Sequence, residues 1–277
     1  MQIFIFKLLS KLPLSVLHAI GALGVWPVYW FAKGFRKRFL ENIKAAGYEK
    51  HLSQALMETG KTLAELPHIW GAPLDKVMEN VKGENCELIT EALKEGKGII
   101  FFTPHMGCFE ITAQLGVEYV PLTVMYQPPK DETYRELYEQ GRTRGKLKLA
   151  QTNLSGIRTM ARALKRGEAI GILPDHVPKL GDGVWAEFLG RPAYTMTLAA
   201  KLHQMSGAPI LTTYAERLPH GKGYIVHFYR FDGSMEGLPE EQARAINASI
   251  EKLIEHCPAQ YLWSYSRFRK PRQHDKD

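Results

Sequence analysis

The sequence predicts an α/β fold: a central, mostly parallel mixed sheet flanked by helices, with an N-terminal hydrophobic membrane-anchoring helix. Three observations carry this expectation. Short apolar runs alternate with stretches of helical periodicity over most of the 277 residues, the pattern of βαβ units. Residues 12–32 contain no formal charge. The basic excess sits at the two ends of the chain, not over its middle.

The uncharged stretch, LPLSVLHAIGALGVWPVYWFA, has 15 apolar residues out of 21. As a helix it extends about 30 Å, the thickness of a hydrocarbon core. Trp26, Tyr29 and Trp30 crowd its C-terminal end as interfacial aromatics do, and Lys33, Arg36, Lys37 and Arg38 follow at once, which suits anionic headgroups on a cytoplasmic face. Pro13, Pro27, two glycines and His18 interrupt it. A spanning segment, a segment lying in the interface and a buried helical pair all fit this composition. A secretory signal peptide is not expected here. The expected organisation is an anchor with its basic flank over 1–38 and a single α/β domain over 39–277, because no repeat or Gly/Ser linker divides the remainder.

Within that domain, apolar spacing of three to four predicts helices over 53–66 and 85–95. Gly96-Lys97-Gly98 marks a turn, and Ile99 to Thr103 reads as a short buried strand. A helix is expected from about Gly107 to Gly116, then a strand over 122–126, a helix over 131–144 and a strand over 147–150. A helix over 156–166 and a strand over 168–173 follow, and then a long loop over 174–193. A helix over 195–206, strands over 209–214 and 224–230 and a helix over 239–256 complete the chain. The last two strands read as an antiparallel hairpin at the sheet edge.

Composition excludes several classes. A charged fraction of 23% with 45% hydrophobic residues is that of a folded protein. Cys86, Cys108 and Cys257 are too few and too scattered for a disulfide scaffold or a CxxC zinc module. The net charge of +7 divides into +6 over residues 1–50, +3 over 262–277 and −2 over the 211 residues between. A nucleic-acid binder spreads its basic residues over a folded face, so no nucleic-acid partner is expected. The chain carries no G-x-S-x-G elbow, P-loop or HExxH motif.

The chemistry concentrates after the strand at 99–103, in Pro104-His105-Met106-Gly107-Cys108-Phe109-Glu110. Ligand sites of open α/β sheets lie at the carboxyl ends of strands. If a helix starts just after His105, the Glu110 carboxylate lies within its first turn and turns back to the imidazole. A carboxylate on one ring nitrogen fixes the tautomer and leaves the other nitrogen as a base. Gly107 removes a side chain beside that base, leaving room for a substrate. The pair lacks a side-chain nucleophile, so the hydroxyl to be activated belongs to the substrate. Cys108 falls between apolar residues and reads as packed. A metal reading fails because no third ligand stands at recognisable spacing, and no cofactor is expected.

The stretch GKGIIFFTPHMGCFE resembles the His-x4-Asp/Glu block of bacterial lysophospholipid-type acyltransferases, and more narrowly that of the lipid A biosynthesis (lauroyl/myristoyl) acyltransferases. ALKRGEAIGILPDH is similar to the family's second block, which ends in an Asp at a strand tip, here Asp175. GVWAEFLGRPAYT is similar to the loop that follows, and RLPHGKGYIVHF and QYLWSYSRF to the late blocks. The departures are Gln127 where an Arg is usual, Asp131 for Asn, His176 for Gln, and Ser266-Arg267 for two Arg. The missing Arg at 127 removes one expected phosphate clamp.

The resemblance implies acyl transfer from an acyl-carrier-protein thioester to a hydroxyl of a lipid A precursor at the cytoplasmic face of a bacterial inner membrane. His105 is then the general base and Glu110 its orienting partner. Substrate-side positions are Asp175, Arg158, Arg142, Gln127 and Arg191, with Arg144, Lys146 and Lys148 among the surrounding cations. Alternatives are a different lipid acceptor, a lysophospholipid or another glycolipid, and a lipid-binding protein of the same fold with weak activity.

Overall fold

The computed structural model describes residues 2–129 and 131–274. The strands are β1 (Val81–Glu84), β2 (Ile99–Phe102), β3 (Leu122–Tyr126), β4 (Leu147–Gln151), β5 (Ala169–Ile172), β6 (Gly183–Phe188), β7 (Arg191–Met196), β8 (Ile210–Arg217) and β9 (Tyr224–Arg230). Seven of them form one sheet in the order β1-β9-β8-β2-β5-β3-β4, and β6 pairs with β7 in a separate ribbon. Neighbours in the sheet are parallel except β8 and β9, which are antiparallel. The sheet is therefore mixed and mostly parallel, as the strand–helix alternation predicts.

Alternation along β2 shows why the sheet is buried on both sides. Ile100 and Phe102 point into one apolar core, Ile99 and Phe101 into the other. The first core is closed by α10 (Leu154–Lys165), α11 (Leu198–Ser206) and α12 (Pro239–His256), the second by α7 (Glu87–Leu93) and α8 (Phe109–Tyr119). All four β2 residues are at most 4% exposed; such a two-faced strand reads as a continuous apolar run rather than an alternating one.

Three strands escape the sequence reading. The β6–β7 hairpin, turned by Leu189 (φ 49°) and Gly190 (φ 71°), fills the expected loop over 174–193 from Gly183 on and runs to Met196, into the start of the helix expected over 195–206. A two-residue turn with both φ positive normally announces itself as Asn-Gly or Asp-Gly, and Leu-Gly does not. The β8–β9 hairpin is antiparallel as expected, but it is not the edge: β1, Val-Lys-Gly-Glu, pairs parallel to β9 outside it. Three of those four residues are exposed, so β1 has no apolar pattern to reveal it.

The N-terminal segment forms α1 (Gln2–Leu9), α2 (Leu14–Phe31) and α3 (Lys33–Ala45), followed by α4 (Leu52–Ala64) and the short α5 (Leu66–Gly71) and α6 (Leu74–Met78). The helix α2 alone among the described residues is long and apolar enough to cross a membrane, with a mean hydropathy of 1.4. It is also part of the folded core. Val25 and Tyr29 of α2 and Phe39 and Ile43 of α3 join the first apolar core. The expected boundary at residue 38 thus falls inside α3. Helices α2 and α4 touch through backbone at Gly21 and Gly60: a Cβ at Gly60 would lie 2.0 Å from the Gly21 carbonyl oxygen.

Candidate active site

His105 and Asp175 each stand three residues beyond a strand end. Strands β2 and β5 are parallel neighbours in register Phe102↔Ile172, and the ladder continues with Thr103 N–H donating to the Ile172 carbonyl at 3.1 Å. Equal offsets from paired positions bring the two residues side by side. The Asp175 carboxylate accepts the His105 backbone N–H at 2.9 Å through Oδ2 and lies 2.8 Å from the imidazole Nδ1 through Oδ1. Asp175 is 3% exposed. Burial alone would raise its carboxyl pKa, but the adjoining His105 outweighs that and holds it well below the ordinary range. A carboxylate on Nδ1 leaves Nε2 as the ring's second nitrogen.

This geometry revises the sequence expectation in two ways. The carboxylate on the imidazole is Asp175, which the sequence placed on the substrate side. Glu110 and His105 share no hydrogen bond or ion pair among the described residues. Glu110 instead accepts from Arg142 Nε at 2.9 Å and from the Trp70 indole at 3.3 Å, with a second short contact from the other Arg142 nitrogen. The reason lies in where α8 starts. Cys108 is the N-cap and Glu110 falls in the first turn, which carries its side chain toward α9 (Glu132–Arg142) and α5 rather than back over the ring.

The imidazole is held on its other sides by rings. His176 stacks on it at 3.6 Å with 7° between planes, Tyr265 stacks on His176 at 4.1 Å, and Phe109 meets its edge at 5.0 Å. Burial, with His105 close by, pushes the His176 pKa down to about 3, so this ring is neutral in ordinary buffers, and its Nε2 is buried without a partner among the described residues. The sequence marks His176 only as a departure from the family pattern and gives Tyr265 no place at the site; a second ring beside the strand-tip Asp is the available signal.

Gly107 serves packing rather than substrate room. Its φ is 57°, its N–H donates to the Gln260 carbonyl at 2.9 Å, and a Cβ there would lie 1.8 Å from the Ala215 carbonyl oxygen. The same loop is pinned by Arg217 at the end of β8, which donates to the Gly107 carbonyl at 3.1 Å. Arg217 is buried and paired with Glu58 at 2.7 Å and Glu65 at 2.5 Å. Tyr224 and His18 also reach Glu65, at 2.9 and 3.0 Å. Burial would raise the Glu65 pKa, but Arg217 and His18 hold it at about 2. Cys108 is 2% exposed and burial pushes its thiol pKa well up, the state of a packed thiol rather than a nucleophile.

The remaining expected residues are dispersed. Arg142 is bound to Glu110 and lies 3.9 Å over the Tyr138 ring. Its charge is already matched, so it does not stand free for a ligand anion as expected. Arg144 donates to the backbone of Trp70 and Ala72. Gln127 is exposed and accepts from the Thr152 hydroxyl. Arg191 lies at the β6–β7 turn, 4.0 Å over the Phe268 ring. Arg158 is exposed in α10, without an ion pair among the described residues.

A small cleft of about 40 Å³ lies between the sheet and α8, reaching Thr103 and Phe109 on either side of the histidine in the chain. Phe101, Phe109, Leu122, Val124 and Ile172 make its walls apolar, and Glu110 and Arg142 stand on its border. Among the described residues no three His, Cys, Asp or Glu side chains converge as a metal site.

The carboxylate–histidine pair thus stands at the tips of two parallel strands, near a small apolar cleft. The chain belongs to the bacterial lipid A biosynthesis acyltransferase family, whose family model matches residues 1–270, and it is an acyltransferase. It is 28% identical over 226 residues to the lipid A biosynthesis palmitoleoyltransferase of Escherichia coli (strain K12), spanning 80% of this chain and 72% of the relative. Identity to the lauroyltransferase of the same organism is 29% over 241 residues, spanning 84% and 72%. With the lipid A biosynthesis acyltransferase of Haemophilus influenzae it is 25% over 272 residues, spanning 94% and 84%.

Proposed function

We propose that this protein transfers a fatty acyl chain from an acyl-carrier-protein thioester to a hydroxyl of a lipid A precursor, at the cytoplasmic face of the inner membrane, with His105 as general base. The observation that carries the reading is the His105–Asp175 pair. His105 Nε2 takes the proton of the acceptor hydroxyl as its oxygen attacks the thioester carbonyl. The tetrahedral intermediate collapses, the C–S bond breaks, and the proton passes from the imidazolium to the departing thiolate. Asp175 holds the ring in the tautomer with the proton on Nδ1 and stabilises the imidazolium. Base assistance of this kind is worth about 10²–10⁴ in rate. The neutral His176 ring stacked on His105 adds no positive charge against the imidazolium.

Glu110 takes a different part from the one its spacing suggests. It neutralises Arg142 and holds α9 against α8 at the border of the cleft, and so acts through the position of the chain rather than on the proton.

The test compares three variants with a lipid A precursor and matched carrier-protein and coenzyme A thioesters. His105→Ala is expected below one per cent of parent kcat. Asp175→Asn is expected to lower kcat at least a hundredfold and to shift the acidic limb of the pH profile. Glu110→Gln is expected chiefly to raise KM for the donor. If Glu110→Gln matches His105→Ala in kcat while Asp175→Asn is mild, Glu110 is the orienting carboxylate after all. Faster transfer from coenzyme A would replace the donor, and turnover confined to a lysophospholipid would replace the acceptor.

A further inference from the structure

The helix α2 presents two apolar faces, and the fold covers one of them. Leu17, His18, Gly21, Val25 and Tyr29 are buried, repeating at the spacing of one helical stripe. The opposite stripe, Val16, Ile20, Leu23, Trp30 and Phe31, is exposed, from 42% at Val16 to 86% at Phe31. Of the sixteen large apolar side chains exposed among the described residues, nine belong to α1 and α2. A patch so concentrated marks an interaction surface.

Charge identifies the occupant. Lys7 and Lys11 precede the stripe, Lys33, Arg36, Lys37 and Arg38 follow it, and all six are exposed. Up to residue 48 the chain has one acid, Glu41. Arg36 lies 5.1 and 5.5 Å over the Tyr29 and Trp30 rings, an aromatic–cation pairing suited to the headgroup layer. An apolar stripe between two exposed basic clusters complements an anionic lipid surface.

The buried stripe decides the orientation. The α2 and α4 backbones pack in direct contact at Gly21 and Gly60, and His18 is tied to Glu65 at 3.0 Å. To cross a bilayer, α2 would have to leave these contacts or carry Glu58, Lys61, Glu65 and Arg217 into hydrocarbon with it. Either course strands buried charges.

We propose that α2 does not span the membrane but lies in the plane of an anionic leaflet, its Val16–Phe31 stripe buried in the lipid and its His18–Tyr29 stripe in the protein. This deepens the membrane placement in the proposed function and rests on it only for the choice of membrane. The orientation follows from the two faces of the helix.

The experiment uses the full chain and vesicles of phosphatidylethanolamine and phosphatidylglycerol, 3:1. Leu23→Glu and Phe31→Glu are expected to lower co-flotation at least tenfold, with transfer to a detergent-dispersed acceptor and the melting temperature unchanged. A fluorophore on Val16→Cys, Leu23→Cys or Phe31→Cys, with the signal of the identically treated parent subtracted, is expected to be quenched alike by a nitroxide at the shallow acyl position. Quenching of position 23 alone by a mid-bilayer nitroxide means a span and overturns the proposal. So does parent-level flotation of both Glu variants, or a dimer in sedimentation that both variants abolish while the parent ignores vesicles. A chain that floats as described yet transfers no acyl group overturns the proposed function and leaves this orientation standing.

Discussion

Asp175 reaches His105 because two adjacent parallel strands end in register and both residues sit three positions further on. The side chain beside them has a measurable consequence. The His176 pKa is about 3 in the folded protein against about 6.5 in an unfolded chain. Between those values the unfolded state binds the extra proton, so stability falls as pH falls from about 6.5 to 3. The slope is up to about 1.4 kcal/mol per pH unit. His176→Gln is expected to flatten the denaturation midpoint over that window; an unchanged pH dependence would show that another group carries it. Asp175 acts in the same direction at lower pH, since a depressed carboxyl loses its contribution as it protonates. Gly107→Ala is expected to cost at least ~2 kcal/mol, because it combines a left-handed φ with a Cβ against the Ala215 carbonyl. A melting temperature within a degree of the parent would contradict this. Of these residues His105 and Asp175 were legible as strand-tip groups. Their pairing was not, since spacing reports neighbours along the chain and these two are 70 residues apart.

At the scale of elements, the α2–α4 contact and the Arg217 cluster tie the N-terminal helices to the loop that carries His105. Gly60→Val is expected to force the two helices apart, since even a Cβ at 60 meets the Gly21 carbonyl at 2.0 Å. Thermal denaturation should report a loss of several kcal/mol, on the order of a severe core overpacking. Arg217→Met removes the cation between Glu58 and Glu65 and leaves two carboxylates buried. A loss of about 3–5 kcal/mol is expected, together with weakened transfer because the Gly107 carbonyl loses its donor. A fully active Arg217→Met would separate the cluster from the site. Helices with strong periodicity were found within a few residues; α12 was placed at 239–256 as observed. The missed elements are those whose signal is not hydrophobic: β1 is a nearly solvated edge, and the β6–β7 turn uses Leu189 where a turn residue was awaited.

For the whole molecule, the N-terminal segment is part of the core as well as the proposed membrane surface. Removing residues 1–33 strips the cover from α4 and unpairs one partner of Glu65. Such a truncation is expected to be unstable or insoluble, not merely released from membranes; a soluble truncated protein with the parent's melting temperature would refute this. The split of charge, +6 and +3 at the ends around a core of −2, now has a location in part: the N-terminal cations flank the exposed stripe of α2. Sequence by itself determined the class of fold, the strand tips where chemistry gathers, the family and the apolar character of residues 12–32, because periodicity, composition and local motif are properties of contiguous chain. Only the tertiary structure decided which carboxylate meets His105, that Glu110 is committed to Arg142, and which stripe of α2 is covered. Those outcomes depend on strand order, on register and on helix faces meeting across 30 to 160 residues, and the free energy that selects them comes from burial and charge pairing that no local segment contains.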